Sequence, residues 1–356
     1  MKIKLKECVQ LVKDRTSIEN VDLASYISTD NMLPNRKGVD FNKSSKPKAK
    51  TVLMYQKGDV LISNIRPYLK KIWMADRNGT RSGDILAFRV NKSGILQKYL
   101  YCILQSDIFF DYVMASAKGT KMPRGDKNAI LDFEFEVPSI EKQKKVYKPI
   151  LTIEKKINLN NKINTNLKLL KTAIFNDMFN SKLLNNLNGK LADIAKIQTG
   201  KRPISRSSTY NNENKYPIVG ASKIMGYTNS YNIDDSIITT GRVGTHGIIQ
   251  RFREPVWISD NSFIFTSHYE DYLYEILKNR INYTSLNRGS TQPLITQTDL
   301  KNIDIYVPTD EEHRQFKTLI YPITNIEFTL NNEQHKLFKI KNLLLNKFFN
   351  SSKLTN

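Results

Sequence analysis

The chain has 356 residues, which is enough for about two ordinary domains that each bury a core. Lys and Arg number 55 against 34 Asp and Glu, and the formal net charge of +21 predicts an anionic polymer or surface as partner. No run approaches the roughly 18 apolar residues of a membrane-spanning helix, and the mean hydropathy is −0.46, so the sequence excludes an integral membrane helix. The basic N-terminus lacks the apolar stretch of a signal peptide, and a cytoplasmic location is predicted.

The sequence contains no strong catalytic or metal-binding pattern. Its two cysteines, Cys8 and Cys102, are too few for a disulfide framework or a cysteine zinc site and are expected to be buried. The four histidines lie in the second half at spacings that fit no metal motif. A P-loop, a Gly-rich dinucleotide fingerprint and the Asn-Pro-Pro-aromatic tetrapeptide of base-amine methyltransferases are also missing. We therefore predict no catalytic, cofactor-binding or metal-binding residue.

Short runs rich in β-branched and aromatic residues predict strands in both halves of the chain. These runs are 52–64, 85–90 and 133–138 in the first half, and 236–250, 255–259, 262–266 and 304–308 in the second. Apolar residues at helical spacing predict helices over 95–116 and 271–286. Each half is thus predicted to be a mixed α/β globule.

A long helix is predicted after Pro138 and again after Pro308, because the composition changes there to Lys, Asn, Leu, Ile and Glu without glycine. Neither domain could bury so long an apolar stripe alone, so the two helices are predicted to pack as an antiparallel coiled coil. The predicted seam consists of Val146, Ile150, Ile153, Leu167, Leu170 and Ile174 in the first helix, and Phe316, Ile320, Ile323, Leu337, Ile340 and Leu344 in the second. Asn-rich segments make the middle of this seam polar.

The two halves repeat each other with an offset of 308 − 138 = 170 residues, carried without a gap to the C-terminus. Gly119 then lies over Gly289, and the triplet FNS recurs at 179–181 and 349–351. Earlier segments match more loosely. These are 5–16 with 191–202, 58–66 with 234–242, and 82–88 with 259–265. Such a long period indicates a duplicated domain and not a solenoid array.

The predicted fold class is α+β, with two duplicated mixed α/β domains separated by two long helices that form an antiparallel coiled coil with pseudo-twofold symmetry. The predicted boundaries are 1–138 for the first domain, 139–182 for the first helix, 183–308 for the second domain and 309–356 for the second helix. On duplex DNA, two diverged basic domains at a set distance would read a bipartite, non-palindromic site.

The order of these domains, junctions and helices resembles the specificity subunit of type I restriction-modification enzymes over essentially the whole chain. The resemblance depends on the openings LKECVQLVKDRT and LADIAKIQTGKR, the two Val-Pro junctions before a Glu-rich helix, and the helix ends NDMFN and NKFFN. It implies a non-catalytic subunit whose two target-recognition domains each read one half of a split double-stranded DNA site. It also implies two methyltransferase subunits that carry S-adenosylmethionine and methylate adenine, and motor-nuclease subunits that use ATP and Mg.

Basic, loop-like segments supply the candidate DNA-binding residues. In the first domain these are Lys46, Lys48, Lys50, Arg66, Lys70, Lys71, Arg81, Lys118, Lys121 and Arg124. In the second they are Lys201, Arg202, Arg206, Arg242, Thr245, His246, Arg288, Thr291 and Gln292. The turn Gly241–Gly244 has the sequence Gly-Arg-Val-Gly, whereas residues 64–67 of the first domain have the sequence Asn-Ile-Arg-Pro. The alignment therefore pairs only Arg66 with Arg242. Replacing Arg124 or Gln292 is expected to weaken methylation at one half-site only.

Two other functions fit the same composition. A self-contained nuclease or transposase would cut DNA with metal as the purified chain, although no carboxylate cluster supports it. A coiled-coil scaffold or RNA-binding protein would be competed by single-stranded RNA at physiological salt.

Overall fold

The computed structural model describes residues 2–289 and 293–349. The chain separates into two compact units, and both long helices are divided between them. The first unit is Met1–Asn160 with Asn332–Asn356, and the second is Asn161–Asn331. Within the described residues, no helix is both long and apolar enough to cross a membrane.

The first unit begins with ten short strands and three short helices. The strands are β1 (Lys2–Lys4), β2 (Val9–Leu11), β3 (Arg15–Ser17), β4 (Tyr26–Ile27), β5 (Thr51–Tyr55), β6 (Val60–Ser63), β7 (Ile72–Met74), β8 (Gly79–Arg81), β9 (Ile85–Val90) and β10 (Glu134–Glu136). The helices are α1 (Gln97–Leu104), α2 (Asp107–Ala115), α3 (Lys127–Leu131) and the start of α4 (Ile140–Asn185). The strands form sheets in the orders β2-β9-β6-β7 and β3-β5-β8-β4, and β1 pairs with β10.

The second unit is built from a similar succession of elements. Its strands are β11 (Gly189–Lys190), β12 (Lys196–Thr199), β13 (Tyr216–Val219), β14 (Ile224–Thr228), β15 (Ile237–Gly241), β16 (Gln250–Phe252), β17 (Trp257–Ile258), β18 (Ser262–Thr266) and β19 (Asp304–Ile305). Its helices are α5 (Leu191–Ile194), α6 (Glu270–Asn279), α7 (Gln297–Lys301) and most of α8 (Asp310–Phe349). The sheets are ordered β12-β18-β15-β16 and β14-β13-β17, and β11 pairs with β19.

The predicted duplication is visible in one sheet of each unit. The order β2-β9-β6-β7 repeats as β12-β18-β15-β16, with antiparallel pairing throughout. The helix packed on this sheet also repeats, since YLYCIL at 99–104 corresponds to YLYEIL at 272–277 and both are largely buried. The other sheet has four strands in the first unit and three in the second. The duplicated fold thus has a preserved sheet and a diverged one.

Two predicted helices are shorter than the apolar spacing indicates. The segment 95–116 is divided into α1 and α2 because Ser106 interrupts it, and the Ser106 side chain accepts a hydrogen bond from the N–H of Phe109 as the N-cap of α2. The segment 271–286 is helical only to Asn279. The long helices α4 and α8 begin two residues after Pro138 and Pro308, at Ile140 and Asp310.

In the first unit, α4 and α8 run antiparallel. Lys341 Nζ lies 2.5 Å from Glu154 Oε1, and Asn160 donates to Glu333 Oε2 at 2.7 Å, so residue numbers rise on one helix as they fall on the other. Ile150 and Leu345 are fully buried against Cys102 of α1. This packing attaches the helix pair of this unit to its domain.

In the second unit the pairing is also antiparallel. Asn164 donates to Asn331 Oδ1 at 2.9 Å, and Lys171 forms an ion pair with Glu327. An aromatic cluster attaches the helix pair of this unit to α6. It consists of Phe175, Phe179, Phe316 and Tyr272, all at most 1% exposed.

The predicted seam is correct in its direction and wrong at one position of each helix. Leu170 and Ile340 are 48% and 46% exposed, so they lie outside the seam. The next residues, Lys171 and Lys341, turn inward instead and are at most 4% exposed. A lysine can occupy such a position because a glutamate on the facing helix neutralises it, which apolar periodicity cannot anticipate. Among the other predicted seam residues, Ile150, Phe316 and Ile320 are buried, and Val146, Ile153, Leu167, Ile174, Ile323, Leu337 and Leu344 are half-buried.

The second Val-Pro junction is a capping box. Thr309 Oγ1 accepts from the N–H of Glu312, and the Glu312 carboxylate accepts from the N–H of Thr309 at 2.8 Å. Burial alone would raise the pKa of Glu312, but Lys182, the Thr309 N–H and the Tyr306 hydroxyl lower it to about 2 from an ordinary 4.5. The ionised carboxylate therefore stabilises the start of α8.

Glu312→Gln is expected to make the second unit less stable at pH 7 and less sensitive to acid. Because the folded pKa is lower than the unfolded one, the stabilisation by Glu312 is present above pH 4.5 and is lost as the pH falls towards 2. Urea unfolding followed by Trp257 fluorescence in a Trp73→Phe background measures it between pH 7 and pH 3. Glu311→Gln, one residue earlier and mostly exposed, is the control. Parallel pH curves for wild type and Glu312→Gln would contradict the assignment.

Candidate nucleic-acid interface

Two predicted DNA-binding loops of the first domain lie against each other. The turn after β6 and the loop before α3 form a small antiparallel bridge between Ile65 and Arg124. The N–H of Arg66 donates to the carbonyl of Pro123 at 2.7 Å, and the N–H of Gly125 donates to the carbonyl of Asn64 at 3.0 Å. The fold thus brings together residues that are about sixty positions apart in sequence.

The second domain joins its two loops by the same hydrogen bonds. Val243 bridges to Leu294, the N–H of Gly244 donates to the carbonyl of Pro293 at 2.9 Å, and the N–H of Ile295 donates to the carbonyl of Arg242 at 3.1 Å. Both domains therefore present a composite surface made from a turn after a central strand and the loop before a short helix. We call each of these a loop pair, defined by residues 64–66 with 118–125 in the first domain, and by the described residues 242–244 with 288–289 and 293–295 in the second.

These hydrogen bonds correct the predicted correspondence of the two turns. Arg66 and Gly244 donate to equivalent prolines, so Arg66 corresponds to Gly244 and not to Arg242. Arg242 corresponds to Asn64 instead, because both carbonyls accept from equivalent residues of the second loop. The backbone agrees, since φ is +51° at Arg66 and +84° at Gly244. Pairing Arg66 with Arg242 by residue type gives the wrong register of the two turns. The position of the left-handed residue in each turn gives the correct register.

Most of the predicted cations of the first domain are exposed. Lys46, Lys48 and Lys50 lie on the loop before β5, and Lys118, Lys121, Arg124 and Arg66 lie on the loop pair. Arg124 donates to Asp84 Oδ1 at 2.6 Å, and Lys118 Nζ lies 3.4 Å from Asp126. Exposed pairs of this kind are weak, so these side chains can exchange a carboxylate for a DNA phosphate or base edge.

Three predicted cations of the first domain are engaged in the fold. Arg81 is 2% exposed and donates to the backbone carbonyls of Val12 and Ile85, and burial lowers its pKa to about 10 against the opposing effect of Asp59. Lys70 Nζ lies 2.5 Å from Asp107 Oδ1.

The third engaged cation is Lys71, which is half-buried and donates to the carbonyl of Thr29 at 2.5 Å. Burial lowers the pKa of Lys71; Asp30 opposes this shift, and Arg66 and Lys43 add to it. The assignment of Arg81 to DNA binding is thus replaced by a structural role, because its guanidinium is inaccessible. Lys70 and Lys71 also hold the fold beside the loop pair.

The predicted residues of the second domain are more dispersed. Lys201, Arg202, Arg206, Thr245 and Arg288 are exposed, and Arg242 and His246 are half-buried. His246 Nδ1 lies 3.1 Å from the carbonyl of Gly241, and Arg288 forms an ion pair with Asp299. Arg206 donates to the carbonyl of Met225 at 2.6 Å. Thr291 and Gln292 lie outside the described residues.

The structure adds Arg15, which sequence reasoning missed. Arg15, Lys46 and Lys48 line one groove of about 400 Å³ in the first domain. The alignment of 5–16 with 191–202 places Arg15 opposite Lys201, which is a predicted DNA-binding residue. The repeat in the sequence therefore indicates Arg15 as a candidate as well. Within residues 2–289 and 293–349, no group of three or more His, Cys, Asp or Glu side chains is arranged to hold a metal ion.

Comparisons with known proteins agree on one family. The profile described as "Type I restriction modification DNA specificity domain" matches residues 186–342. The type I restriction enzyme HindI specificity subunit of Haemophilus influenzae is 26% identical over 129 residues, which is 35% of this chain and 28% of that protein. The crystal structure of a type I restriction-modification system S subunit from M. genitalium has the same fold, with a TM-score of 0.63 and 15% identity over 98% of this chain and 96% of that one.

Proposed function

We propose that the chain is a specificity subunit of a type I restriction-modification enzyme and that it reads a bipartite DNA site for partner subunits; the matching family model, the curated relative and the shared fold support this. Each domain would contact one half of the site. The observation that carries the proposal is the recurrence of one loop pair, held by the same backbone hydrogen bonds, with different side chains in the two domains. Two domains that read different half-sites need the same backbone arrangement with different side chains to contact the bases.

The charge distribution supports duplex DNA as the ligand. The chain carries a formal charge of +21, and exposed cations lie on both loop pairs, namely Arg66, Lys118, Lys121 and Arg124 on the first and Arg288 on the second. Phosphate contacts would supply most of the affinity, and a few fixed side chains would discriminate bases. A cytoplasmic location follows from this role, because the substrate is cellular DNA.

The chain is proposed to have no catalytic site of its own. Adenine methylation would belong to two methyltransferase subunits that hold S-adenosylmethionine, and cleavage to motor-nuclease subunits that use ATP and Mg. A self-contained nuclease or transposase is not favoured, since the matching family model describes a DNA specificity domain and the matching curated protein is a specificity subunit.

Co-expression of the chain with its cognate methyltransferase, followed by genome-wide mapping of methylated adenines, tests the proposal. The expected result is one split motif with two unlike halves and a constant gap. Methylation with no motif, or with a single continuous motif, would refute the proposal. The purified chain alone, incubated with DNA and Mg, is expected to leave the DNA intact.

Arg124→Ala and Arg288→Ala are expected to weaken recognition of different halves of the motif. Loss of one base contact would reduce binding about tenfold to a hundredfold at its own half-site, since such contacts discriminate by roughly 1–3 kcal/mol. Binding to duplexes altered in either half measures this for each variant in complex with methyltransferase.

Arg314→Ala is the matched control, since Arg314 is also exposed and lies 2.7 Å from a carboxylate, but on helix α8. If both loop variants lost affinity equally for unrelated sequences, with a salt slope smaller by about one, they would mark phosphate contacts.

A further inference from the structure

Four residues other than glycine in the first domain have left-handed backbone angles, and they lie together. The φ values are 57° at Asn35, 60° at Arg36, 51° at Arg66 and 50° at Lys70. The N–H of Asn35 donates to the carbonyl of Leu69 at 2.8 Å, and that of Arg36 to the carbonyl of Lys70 at 2.9 Å. This conformation is costly for residues with a Cβ, and it persists where the surroundings enforce it, most often at functional sites.

Several contacts enforce the conformation of the turn that begins at Arg66. Residues Pro67–Leu69 form one turn of 3₁₀ helix between Arg66 and Lys70, and Pro67 is buried. The N–H of Arg66 is held by the carbonyl of Pro123, and Lys70 Nζ by Asp107 at the start of α2. Contacts at both ends of the turn, at Arg66 and at Lys70, therefore fix the position of the Arg66 Cα and Cβ atoms.

The Arg66 side chain itself is exposed and is not neutralised. Its neighbours Arg36 and Lys70 both form ion pairs with Asp107. In the described part of the chain, no carboxylate forms an ion pair with Arg66. Of these three neighbouring cations, Arg36 and Lys70 are neutralised within the domain, and Arg66 is exposed to solvent.

The second domain shows that the turn does not need this side chain. Gly244 occupies the equivalent position with the same backbone hydrogen bond, and a Cβ placed on it would meet nothing within 4 Å. Glycine is the residue with the least strain in a left-handed turn, so an arginine at this position of the first domain has a cost to stability. A contact made by the guanidinium with a ligand is the function that would offset this cost.

We propose that Arg66 is a specificity-determining residue that reads a base edge, of the kind guanine presents through O6 and N7, in the first half of the DNA site. The inference rests on the proposed DNA-reading function. A planar guanidinium can donate two parallel hydrogen bonds to a guanine edge, and such recognition needs a side chain whose origin is fixed. A phosphate contact would not require so constrained a backbone, because flexible surface lysines make it equally well.

The test compares R66G and R66K in the complex with methyltransferase, on duplexes in which each base pair of the mapped motif is changed in turn. R66G removes the side chain without strain, because glycine is native at the equivalent position. It is expected to unfold at the same or a higher temperature, as followed by Trp73 fluorescence in a Trp257→Phe background. Its binding to the intact motif should fall about tenfold to a hundredfold, with discrimination lost at one base pair of one half.

R66K keeps the charge but not the two parallel donors, and it should behave like R66G. A near-normal R66K, or a uniform loss for R66G at all sequences, would identify a phosphate contact and overturn the inference. Unchanged binding and discrimination in R66G would overturn it as well. Absence of any split motif with the wild-type complex would instead refute the proposed function, so the two failures are distinguishable.

Discussion

Lys171→Met is expected to lower the free energy of unfolding of the second unit by about 3–5 kcal/mol, because it leaves the buried carboxylate of Glu327 without its ion-pair partner. The Lys171 side chain is 4% exposed and that of Glu327 is 9% exposed, and the two form a direct ion pair. Tyr274 lies beside them, with its ring centroid 5.2 Å from Lys171 Nζ. Water has little access to either charge.

The ion pair does not fully compensate the burial of its lysine. Burial lowers the pKa of Lys171 and the charge of Arg251 adds to this shift, and together they outweigh the hydrogen bond and the charge of Glu327, which raise the pKa. Removing both charges should therefore restore most of the stability that the single change removes, and Lys171→Met with Glu327→Leu is expected to unfold within about 1–2 kcal/mol of wild type or above it. The ion pair then serves to align two helices more than to stabilise them.

Trp257 reports on this unit because the other tryptophan, Trp73, lies in the first. Urea unfolding of the full chain in a Trp73→Phe background measures the midpoint for each variant. Lys168→Met is the control, since Lys168 is an exposed lysine on the same helix. The account would be wrong if Lys171→Met were no more destabilising than Lys168→Met, or if the double variant were as unstable as the single one.

Gly241→Ala is expected to disrupt the loop pair of the second domain. A Cβ at this position would lie 1.9 Å from the carbonyl oxygen of Thr245 and 2.9 Å from the Cβ of Ala221. The nearest atom is backbone, so the turn must open, and Thr245 and His246 would move with it. Overpacking of this kind costs about 1–3 kcal/mol. Recognition by the second domain should fall at least about tenfold, since its contacts are displaced together.

Gly244→Ala is the matched control in the same turn. Its φ is +84°, so alanine brings strain of about 1–2 kcal/mol, but no atom lies within 4 Å of the added Cβ. The turn should keep its shape, as the equivalent Arg66 does in the first domain. Binding to duplexes altered in each half, with Trp257 fluorescence to monitor folding, separates the two variants. Equal effects of both changes on recognition would show that strain and not collision decides the outcome.

The repeat made the main elements predictable. Strands such as β9 and β18 and both long helices follow from local apolar patterns that occur twice, and a pattern that occurs twice is easily separated from noise. The diverged sheets were not predictable. Strands β3, β4, β8, β13 and β14 have only two to five residues, and, apart from the neighbouring pair β13 and β14, their pairing partners are distant in sequence. A short strand is stabilised by its neighbours in the sheet and has little local signal of its own.

The sequence predicted which basic loops form the candidate site, but it did not predict which cations in them are exposed. Counting cations identified the loops that the fold then joins, including Arg66 and Arg124. It could not separate exposed cations from Arg81, whose guanidinium is buried on backbone carbonyls, or from Lys70, which Asp107 neutralises. Charge is a property of a residue type, whereas accessibility and pairing depend on neighbours that only folding provides.

The sequence by itself determined the duplication, the α+β class, the antiparallel helix pair and the two Val-Pro junctions, because apolar periodicity and an ungapped register are local and repeated. Only the tertiary structure decided that Lys171 and Lys341 lie inside the seam while Leu170 and Ile340 lie outside it. It also decided that Arg66 matches Gly244. Both results depend on partners across the fold, a facing glutamate in one case and the carbonyl of Pro123 or Pro293 in the other.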